Sequence, residues 1–237
     1  MKGDNPSIGP TFGVITDIQY ADIENGTDFS QTRHRFYRNS LVQARHAVDH
    51  WLNQDVDFAV NLGDTIDGKC KRHGQSHDAL QTVLNVLQTL RKPVYHLWGN
   101  HEYYNFKRDA LVNMRAFNFA PATDSPSSLT EKTIYNSIKV SPNLRIVAIN
   151  AYEISALGHD SNSSSYKDAY KILSQINTNS DKNSADGLSR LQRRFVAYNG
   201  AVGEEQLRWL DQILTEADEN QEHVIVMSKL CDAIFLV

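Results

Sequence analysis

The sequence predicts an α/β fold with a mixed sheet, and three observations support that prediction. Residues 12–15, 58–62 and 94–98 are short apolar runs, rich in valine, isoleucine and aromatic residues, as buried strands are. Segments with helical periodicity separate these runs, and such an alternation indicates right-handed βαβ units. Residues 133–140 and 144–150 look like a hairpin joined at Ser141-Pro142-Asn143, which adds antiparallel pairing.

The helices are predicted from stripes of apolar residues. Residues 31–52 carry Tyr37, Leu41, Ala44, Val48 and Trp51 at helical spacing. Similar patterns predict helices over residues 76–91, 108–117, 166–176 and 203–219, and residues 223–226 form a further predicted strand. His96 lies inside the third predicted strand, so we interpret it as a core histidine rather than a ligand.

A polar motif follows each of the first three predicted strands. The motifs are Thr16-Asp17-Ile18-Gln19, Gly63-Asp64-Thr65-Ile66-Asp67 and Gly99-Asn100-His101-Glu102. In open α/β sheets, ligands bind just outside the carboxyl ends of the strands. The motifs therefore bring carboxylate, amide and imidazole groups to one rim.

These side chains suit a divalent cation such as Mn²⁺ better than a thiolate-seeking ion. Asp17 and Gln19 are two residues apart, so both can reach one ion from the same side. Asp64, preceded by a glycine, is the natural bridge between two ions about 3.5–4 Å apart. Asn100 can offer its amide oxygen to the second ion, and His101 can protonate a leaving oxygen.

A purely structural interpretation of the motifs also exists. Aspartate and asparagine often cap helices or close turns, and a single motif of this kind is weak evidence for a site. Three such motifs, in order and each after a predicted strand, favour the metal site.

The three motifs, with the run at residues 199–210, resemble the calcineurin-like metallophosphoesterase family. The resemblance extends from about residue 12 to residue 226 and implies an α-β-β-α sandwich of mixed sheets. Gln19 stands where most of the family has histidine, which points to a branch of manganese-dependent diphosphatases. The implied reaction is hydrolysis of nucleoside diphosphate esters such as ADP-ribose, CDP-choline and CDP-glycerol, with release of AMP or CMP.

The resemblance also implies roles for individual residues. Asp17, Gln19, Asp64 and Asn100 would hold a binuclear site of Mn²⁺, or of other divalent metals. His101 would be catalytic. Asp67 would hydrogen-bond to it and keep it protonated and correctly oriented, a role that the residue types suggest as well. Glu102 is interpreted as a supporting or structural residue.

The sequence departs from the family pattern after the strand at residues 223–226. The family continues with a Ser-His pair and a later Gly-His-x-His motif, whereas Ser228 is followed here by Lys229. We therefore expect a single domain over residues 1–237, incomplete at its C-terminus, with a family-like part at 12–226 and a divergent tail at 227–237. Lys229 would repel a metal if it took the place of the lost histidine.

Two functional interpretations remain open at this point. The first is an active hydrolase of nucleoside diphosphate esters. The second is a catalytically impaired form that binds metal or nucleotide weakly, or needs a partner chain. The missing histidines predict little or no turnover by the chain as written.

Composition narrows the classes of partner. The 237 residues carry a formal net charge of −4, which argues against general nucleic-acid binding. Cys70 and Cys231 are too few for a disulfide framework, and no apolar run reaches the ~20 residues of a membrane helix. The polar N-terminus lacks a signal-peptide pattern. We therefore expect a cytoplasmic protein, monomeric by default, with small nucleoside diphosphate substrates and no membrane partner.

Overall fold

The structure is a computed structural model that describes residues 9–28, 31–114, 117, 119 and 134–230. Its helices and strands alternate along much of the chain, as predicted. In chain order they are β1 (Phe12–Ile15), β2 (Gly26–Thr27), β3 (His34–Arg35), α1 (Asn39–Asn53), β4 (Phe58–Asn61), α2 (Lys69–Arg72), α3 (Ser76–Gln88), β5 (Val94–His96), α4 (Asn100–Asn105), α5 (Arg108–Asn113), β6 (Asn136–Ser141), β7 (Leu144–Ala148), α6 (Ser164–Ile176), α7 (Glu204–Glu219) and β8 (His223–Met227).

The first sheet has the strand order β1-β4-β5 and is parallel throughout. Phe12 aligns with Phe58, and Ala59 aligns with Val94, so the three strands end at the same edge. All four residues of β4 are buried, as expected for the central strand of a covered parallel sheet. The three strands predicted from apolar runs are therefore confirmed, and each ends within two residues of its predicted boundary.

The second sheet has the order β6-β7-β8 and is mixed. β6 and β7 form the predicted antiparallel hairpin, and β8 adds to β7 in parallel. Leu144 aligns with His223 and Ala148 aligns with Met227, so β8 runs the full length of β7.

Two apolar cores hold the layers together. One lies between the first sheet and helices α1 and α3, and it includes Val48, Trp51 and Val83. The other lies between the two sheets, where Val60 of the first sheet and Ile146 of the second are fully buried. Helix α7 contacts β8 on the far side of the second sheet. The layers are helix, sheet, sheet and helix, which confirms the predicted α-β-β-α sandwich.

Several helix boundaries were predicted less accurately than the strands. The helix expected over residues 76–91 ends at Gln88, and the one expected over residues 108–117 ends at Asn113. The helix expected from residue 31 begins at Asn39, because His34 and Arg35 form β3 and pair with Gly26 and Thr27 of β2. His96 is a core residue, as predicted: it is buried, and its Nδ1 lies 3.2 Å from Asn61 Nδ2. Burial lowers the pKa of His96 to about 3.

In the part of the chain that the structure describes, no helix combines the length and apolarity needed to span a membrane. The expected division into residues 12–226 and a tail at 227–237 stays a prediction, because most of that tail lies outside the described residues.

Candidate metal centre

The loops that follow β1 and β4 run side by side and carry the first two motifs. The Asp17 amide donates to the Gly63 carbonyl at 3.1 Å, and the Gln19 amide donates to the Asp64 carbonyl at 2.9 Å. Asp17, Gln19 and Asp64 have left-handed backbone conformations, with φ of 55°, 45° and 54°. Such conformations are uncommon for residues other than glycine and persist where the surrounding structure enforces them.

The third motif is joined to the second by a close backbone approach. The amide of His101, in the first turn of α4, donates to Asp64 Oδ1 at 3.0 Å. A Cβ atom at position 99 would overlap that same carboxylate oxygen, so only glycine fits there. The Gly-Asn-His sequence therefore lets the start of α4 lie directly against the Asp64 side chain.

Glu102 holds this junction from within the protein. Its buried carboxylate accepts hydrogen bonds from the amides of Asp64 at 2.8 Å, Thr65 at 2.7 Å and Gly99 at 2.8 Å. Burial, and then the charge of Asp64, raise the pKa of Glu102. The interpretation of Glu102 as a supporting residue matches this geometry.

The side chains at the rim present more acceptors than donors. Gln19 Nε2 donates to Asp17 Oδ1 at 3.2 Å, whereas the buried Gln19 Oε1 has no hydrogen-bond partner. The amide oxygen of Asn100 faces the Asp64 carboxylate, while its nitrogen bonds to the Tyr104 hydroxyl at 3.0 Å. Four oxygen-bearing side chains at one rim, one of them with an unsatisfied buried oxygen, fit a divalent ion.

The Asn100 amide has an alternative orientation that needs no cation. A half-turn of the amide places its nitrogen 3.2–3.3 Å from both Asp64 oxygens and lets its oxygen accept from Tyr104. The rim can therefore satisfy Asn100 in a metal-free state as well as in a metal-bound one.

A positive charge from the second sheet also reaches this rim. Lys229, two residues beyond β8, places its Nζ 2.6 Å from Asp17 Oδ2 and 3.2 Å from Asp64 Oδ2. Burial opposes the charge of Lys229, but the two carboxylates outweigh it and raise its pKa. Burial also disfavours the charged form of Asp17, which raises its pKa. The hydrogen bond from Lys229 outweighs that effect and leaves the pKa of Asp17 below its usual value.

The predicted hydrogen bond between Asp67 and His101 is not formed. The nearest atoms, His101 Nδ1 and Asp67 Oδ2, are 3.8 Å apart. His101 Nδ1 instead accepts from the Gly68 amide at 3.0 Å, and Asp67 Oδ1 accepts from the Lys69 amide at 2.8 Å. A ring nitrogen that accepts a hydrogen bond carries no proton, so Nδ1 has none to donate to Asp67.

The structure thus brings Asp17, Gln19, Asp64, Asn100 and His101 together, with Asp67 beside the histidine. Within the described ranges, no group of three or more His, Cys, Asp or Glu side chains is arranged to hold a metal ion; two of the four predicted ligands, Gln19 and Asn100, are amides. Sequence reasoning included Thr16 in the first motif but gave it no role, although its hydroxyl donates to Asp17 Oδ2 at 2.7 Å; it missed Tyr104, which bonds to Asn100. Tyr104 lies four residues after Asn100 on α4, and that helical spacing was the available signal.

The profile of the calcineurin-like phosphoesterase family matches residues 10–228 of the chain. This chain belongs to that family. The match contains all three motifs of the rim, and the helix–sheet–sheet–helix layering is the metallophosphoesterase fold. The resemblance inferred from the motifs is therefore confirmed.

Curated members of this phosphoesterase family are similar over most of the chain. The manganese-dependent ADP-ribose/CDP-alcohol diphosphatase of Danio rerio is 42% identical over 224 residues, which cover 93% of this chain and 69% of that protein. The protein of the same name from Bos taurus is 41% identical over 227 residues, covering 93% of this chain and 66% of that protein. The chain thus spans about two thirds of the length of these relatives.

A solved phosphoesterase structure is similar as well. A dimetal phosphatase from Danio rerio superimposes with a TM-score of 0.85 at 40% sequence identity. The match covers 92% of this chain and 69% of that one.

Proposed function

We propose that this phosphoesterase is a manganese-dependent hydrolase of nucleoside diphosphate esters, with ADP-ribose and CDP-alcohols such as CDP-choline and CDP-glycerol as substrates. One observation carries the proposal: four oxygen-bearing side chains converge at the ends of β1, β4 and β5, and the buried Gln19 Oε1 among them has no hydrogen-bond partner, which a cation would supply. The names of the relatives support the substrate class and the metal. Release of AMP or CMP is the expected outcome.

Asp17, Gln19, Asp64 and Asn100 would hold the metal. When bound, divalent metal at this rim would polarise phosphoryl oxygens and activate water. Asp64 is suited to a central position because its Oδ1 is fixed by the His101 amide while its Oδ2 faces the rim. The left-handed backbone at Asp17 and Asp64 keeps both carboxylates close together before any ligand arrives.

His101 is the residue that we assign to proton transfer. Its Nδ1 accepts from the Gly68 amide, so the neutral ring carries its proton on Nε2. In that neutral state the Nε2–H group can donate a hydrogen bond to the leaving oxygen of a phosphate ester. Transfer of a proton requires the doubly protonated ring, in which Nδ1 also carries a proton and no longer accepts from the Gly68 amide. The side chain is 15% exposed, which leaves it accessible to a bound substrate while the turn at Gly68 holds the ring.

A second candidate function is favoured by the position of Lys229. Its ammonium group lies between Asp17 and Asp64, where it competes for the carboxylate oxygens that a metal would use. A chain that keeps this contact would bind metal or nucleotide with little or no hydrolysis.

The deciding experiment measures release of AMP from ADP-ribose by the purified chain over a range of Mn²⁺ concentrations. The hydrolase proposal predicts turnover that depends on Mn²⁺ and falls about 100-fold or more in Asp64→Asn, because a lost ligand weakens a metal site at least as much as a lost supporting residue does. The second candidate predicts the little or no turnover that the missing histidines imply.

The matched control is Asp49→Asn, the same chemical change at an exposed position of α1. It should hydrolyse ADP-ribose at the wild-type rate. A well-folded wild-type chain that releases no AMP at any Mn²⁺ concentration would reject the hydrolase proposal in favour of the second candidate.

A further inference from the structure

We infer that the Lys229 ammonium group is a built-in cation that occupies the metal position between Asp17 and Asp64, so that Mn²⁺ must displace it to bind. The inference rests on the proposed function in one respect, namely that this rim is the metal site. It goes further by assigning a specific competitor within the same chain.

The Lys229 side chain is fixed by contacts with two carboxylates and is largely shielded from solvent. Its Nζ lies 2.6 Å from Asp17 and 3.2 Å from Asp64, within range of two charge-assisted hydrogen bonds. The Lys229 side chain is 11% exposed, and that of Asp64 is 1% exposed. The Asp17 side chain is 43% exposed, so it is the Lys229–Asp64 contact that is screened far less by solvent and salt than a surface pair.

The path of the backbone explains how Lys229 reaches the rim. β8 ends at Met227, and the Ser228 hydroxyl donates to the Ile149 carbonyl at 3.3 Å, just beyond the end of β7. The stem of Lys229 then passes over Gly99, where an added Cβ would lie 2.8 Å from Lys229 Cγ. Because Gly99 has no Cβ atom, both the Asp64 carboxylate and the Lys229 side chain can lie against the start of α4.

Charge balance shows why the lysine and the metal exclude each other. A single ammonium group neutralises one of the two carboxylates and donates to both. A divalent cation would need the same two oxygens, and an adjacent ammonium group would repel it. The tethered ammonium needs no binding from solution, so it holds the position at any metal concentration too low to displace it.

The first test measures Mn²⁺ affinity directly, from the electron paramagnetic resonance signal of free Mn²⁺, in wild type and Lys229→Met. We expect the variant to bind Mn²⁺ about tenfold more tightly or better, because the competing charge is gone. The matched control is Lys92→Met, which removes a lysine from an exposed ion pair with Asp55. It should bind Mn²⁺ as wild type does, and equal affinities in wild type and Lys229→Met would overturn the inference.

Thermal unfolding gives a second readout that does not involve activity. Lys229→Met leaves two carboxylates facing each other, so its midpoint in EDTA should fall below that of wild type and should rise steeply with Mn²⁺. Wild type should respond to Mn²⁺ only weakly. A wild-type midpoint that rises with Mn²⁺ as much as the variant's does would contradict the displacement.

Amine acetylation of the wild-type chain keeps the inference testable if Lys229→Met fails to fold. In metal-free protein, Lys229 should react more slowly than the exposed Lys92, as measured by peptide mass spectrometry, and Asp17→Asn should accelerate it. Reaction of Lys229 at the rate of Lys92 would overturn the inference.

The outcomes separate this inference from the proposed function. Tight Mn²⁺ binding by Lys229→Met without AMP release would leave the inference standing and reject the hydrolase. AMP release by wild type, with equal Mn²⁺ affinity in the variant, would do the reverse.

Discussion

Asp17, Gln19 and Asp64 show why a rim of this kind is only partly visible in a sequence. Their residue types and their places after apolar runs were enough to predict that they would meet, because strand ends are encoded locally. Their left-handed backbone was not predicted, since non-glycine residues enter that region only under outside constraint. The constraint at Asp64 comes from Glu102, which lies 38 residues further along the chain.

Glu102→Gln is expected to destabilise the protein by about 2 kcal/mol. An amide has one acceptor oxygen where the carboxylate has two, so at least one of the three amides of Asp64, Thr65 and Gly99 loses its partner inside the protein. The free energy of unfolding from urea denaturation measures the loss. Glu204→Gln, at an exposed position in the first turn of α7, is the control and should change stability little. A loss no larger than that of the control would show that Glu102 does not hold the junction.

The hydrogen-bond partner of the His101 ring is a second feature of a single residue that the sequence did not reveal. The sequence places Asp67 and His101 in neighbouring motifs, and a hydrogen bond between them was a reasonable prediction. The turn at Gly68 presents a backbone amide to the same ring nitrogen at 3.0 Å, and the carboxylate is left at 3.8 Å. Backbone donors of this kind depend on turn geometry, which residue types alone do not specify.

At the scale of secondary structure, the strands were predicted more accurately than the start of the first helix. An apolar run bounded by polar residues marks a buried strand within one or two positions. The stripe from Tyr37 to Trp51 predicted the body of α1 correctly but not its beginning. The pairing of His34 and Arg35 with β2 decides that beginning, and it depends on a partner strand rather than on local preference.

The packing of α1 on β1 gives a prediction for stability. A Cβ at Gly13 would overlap the indole ring of Trp51, which is buried in the core between the first sheet and helices α1 and α3. Gly13→Ala should therefore lower the free energy of unfolding by about 1–3 kcal/mol through overpacking. Gly9→Ala is the matched control, because a Cβ there has no atom within 4 Å. Equal urea midpoints for the two variants would show that α1 can shift on the sheet without loss.

At the scale of the whole molecule, the rim joins elements that are far apart in the chain. The α-β-β-α layering was predictable because the three motifs identify the family. The contact between Lys229 and Asp17 spans 212 positions and was foreseen only as a possibility. Its formation depends on β8 pairing with β7 and on the turn after β8, which set the position of the lysine relative to the first sheet.

The lowered pKa of buried His96 should make the stability of the folded protein depend on pH. Its pKa is lowered by burial to about 3 from an ordinary value of 6.5. Below pH 6.5 the unfolded chain therefore binds a proton that the folded chain does not, and stability falls as pH decreases. The slope approaches about 1.4 kcal/mol per pH unit for this one group. The stability that depends on neutral His96 is fully present above pH 6.5.

Comparing wild type with His96→Gln separates the contribution of His96 from those of other groups that also destabilise the folded state in acid. Burial and then the nearby Arg108 lower the pKa of His159 to about 4, so that residue also destabilises the fold in acid, but it is common to both proteins. Between pH 6.5 and pH 5, urea denaturation should show wild type losing about 1.5 kcal/mol more than His96→Gln. The exposed His46→Gln should follow wild type across the same range. Parallel profiles for wild type and His96→Gln would mean that the buried ring accepts a proton in the folded state, which a side chain packed beside Asn61 and Phe117 should resist.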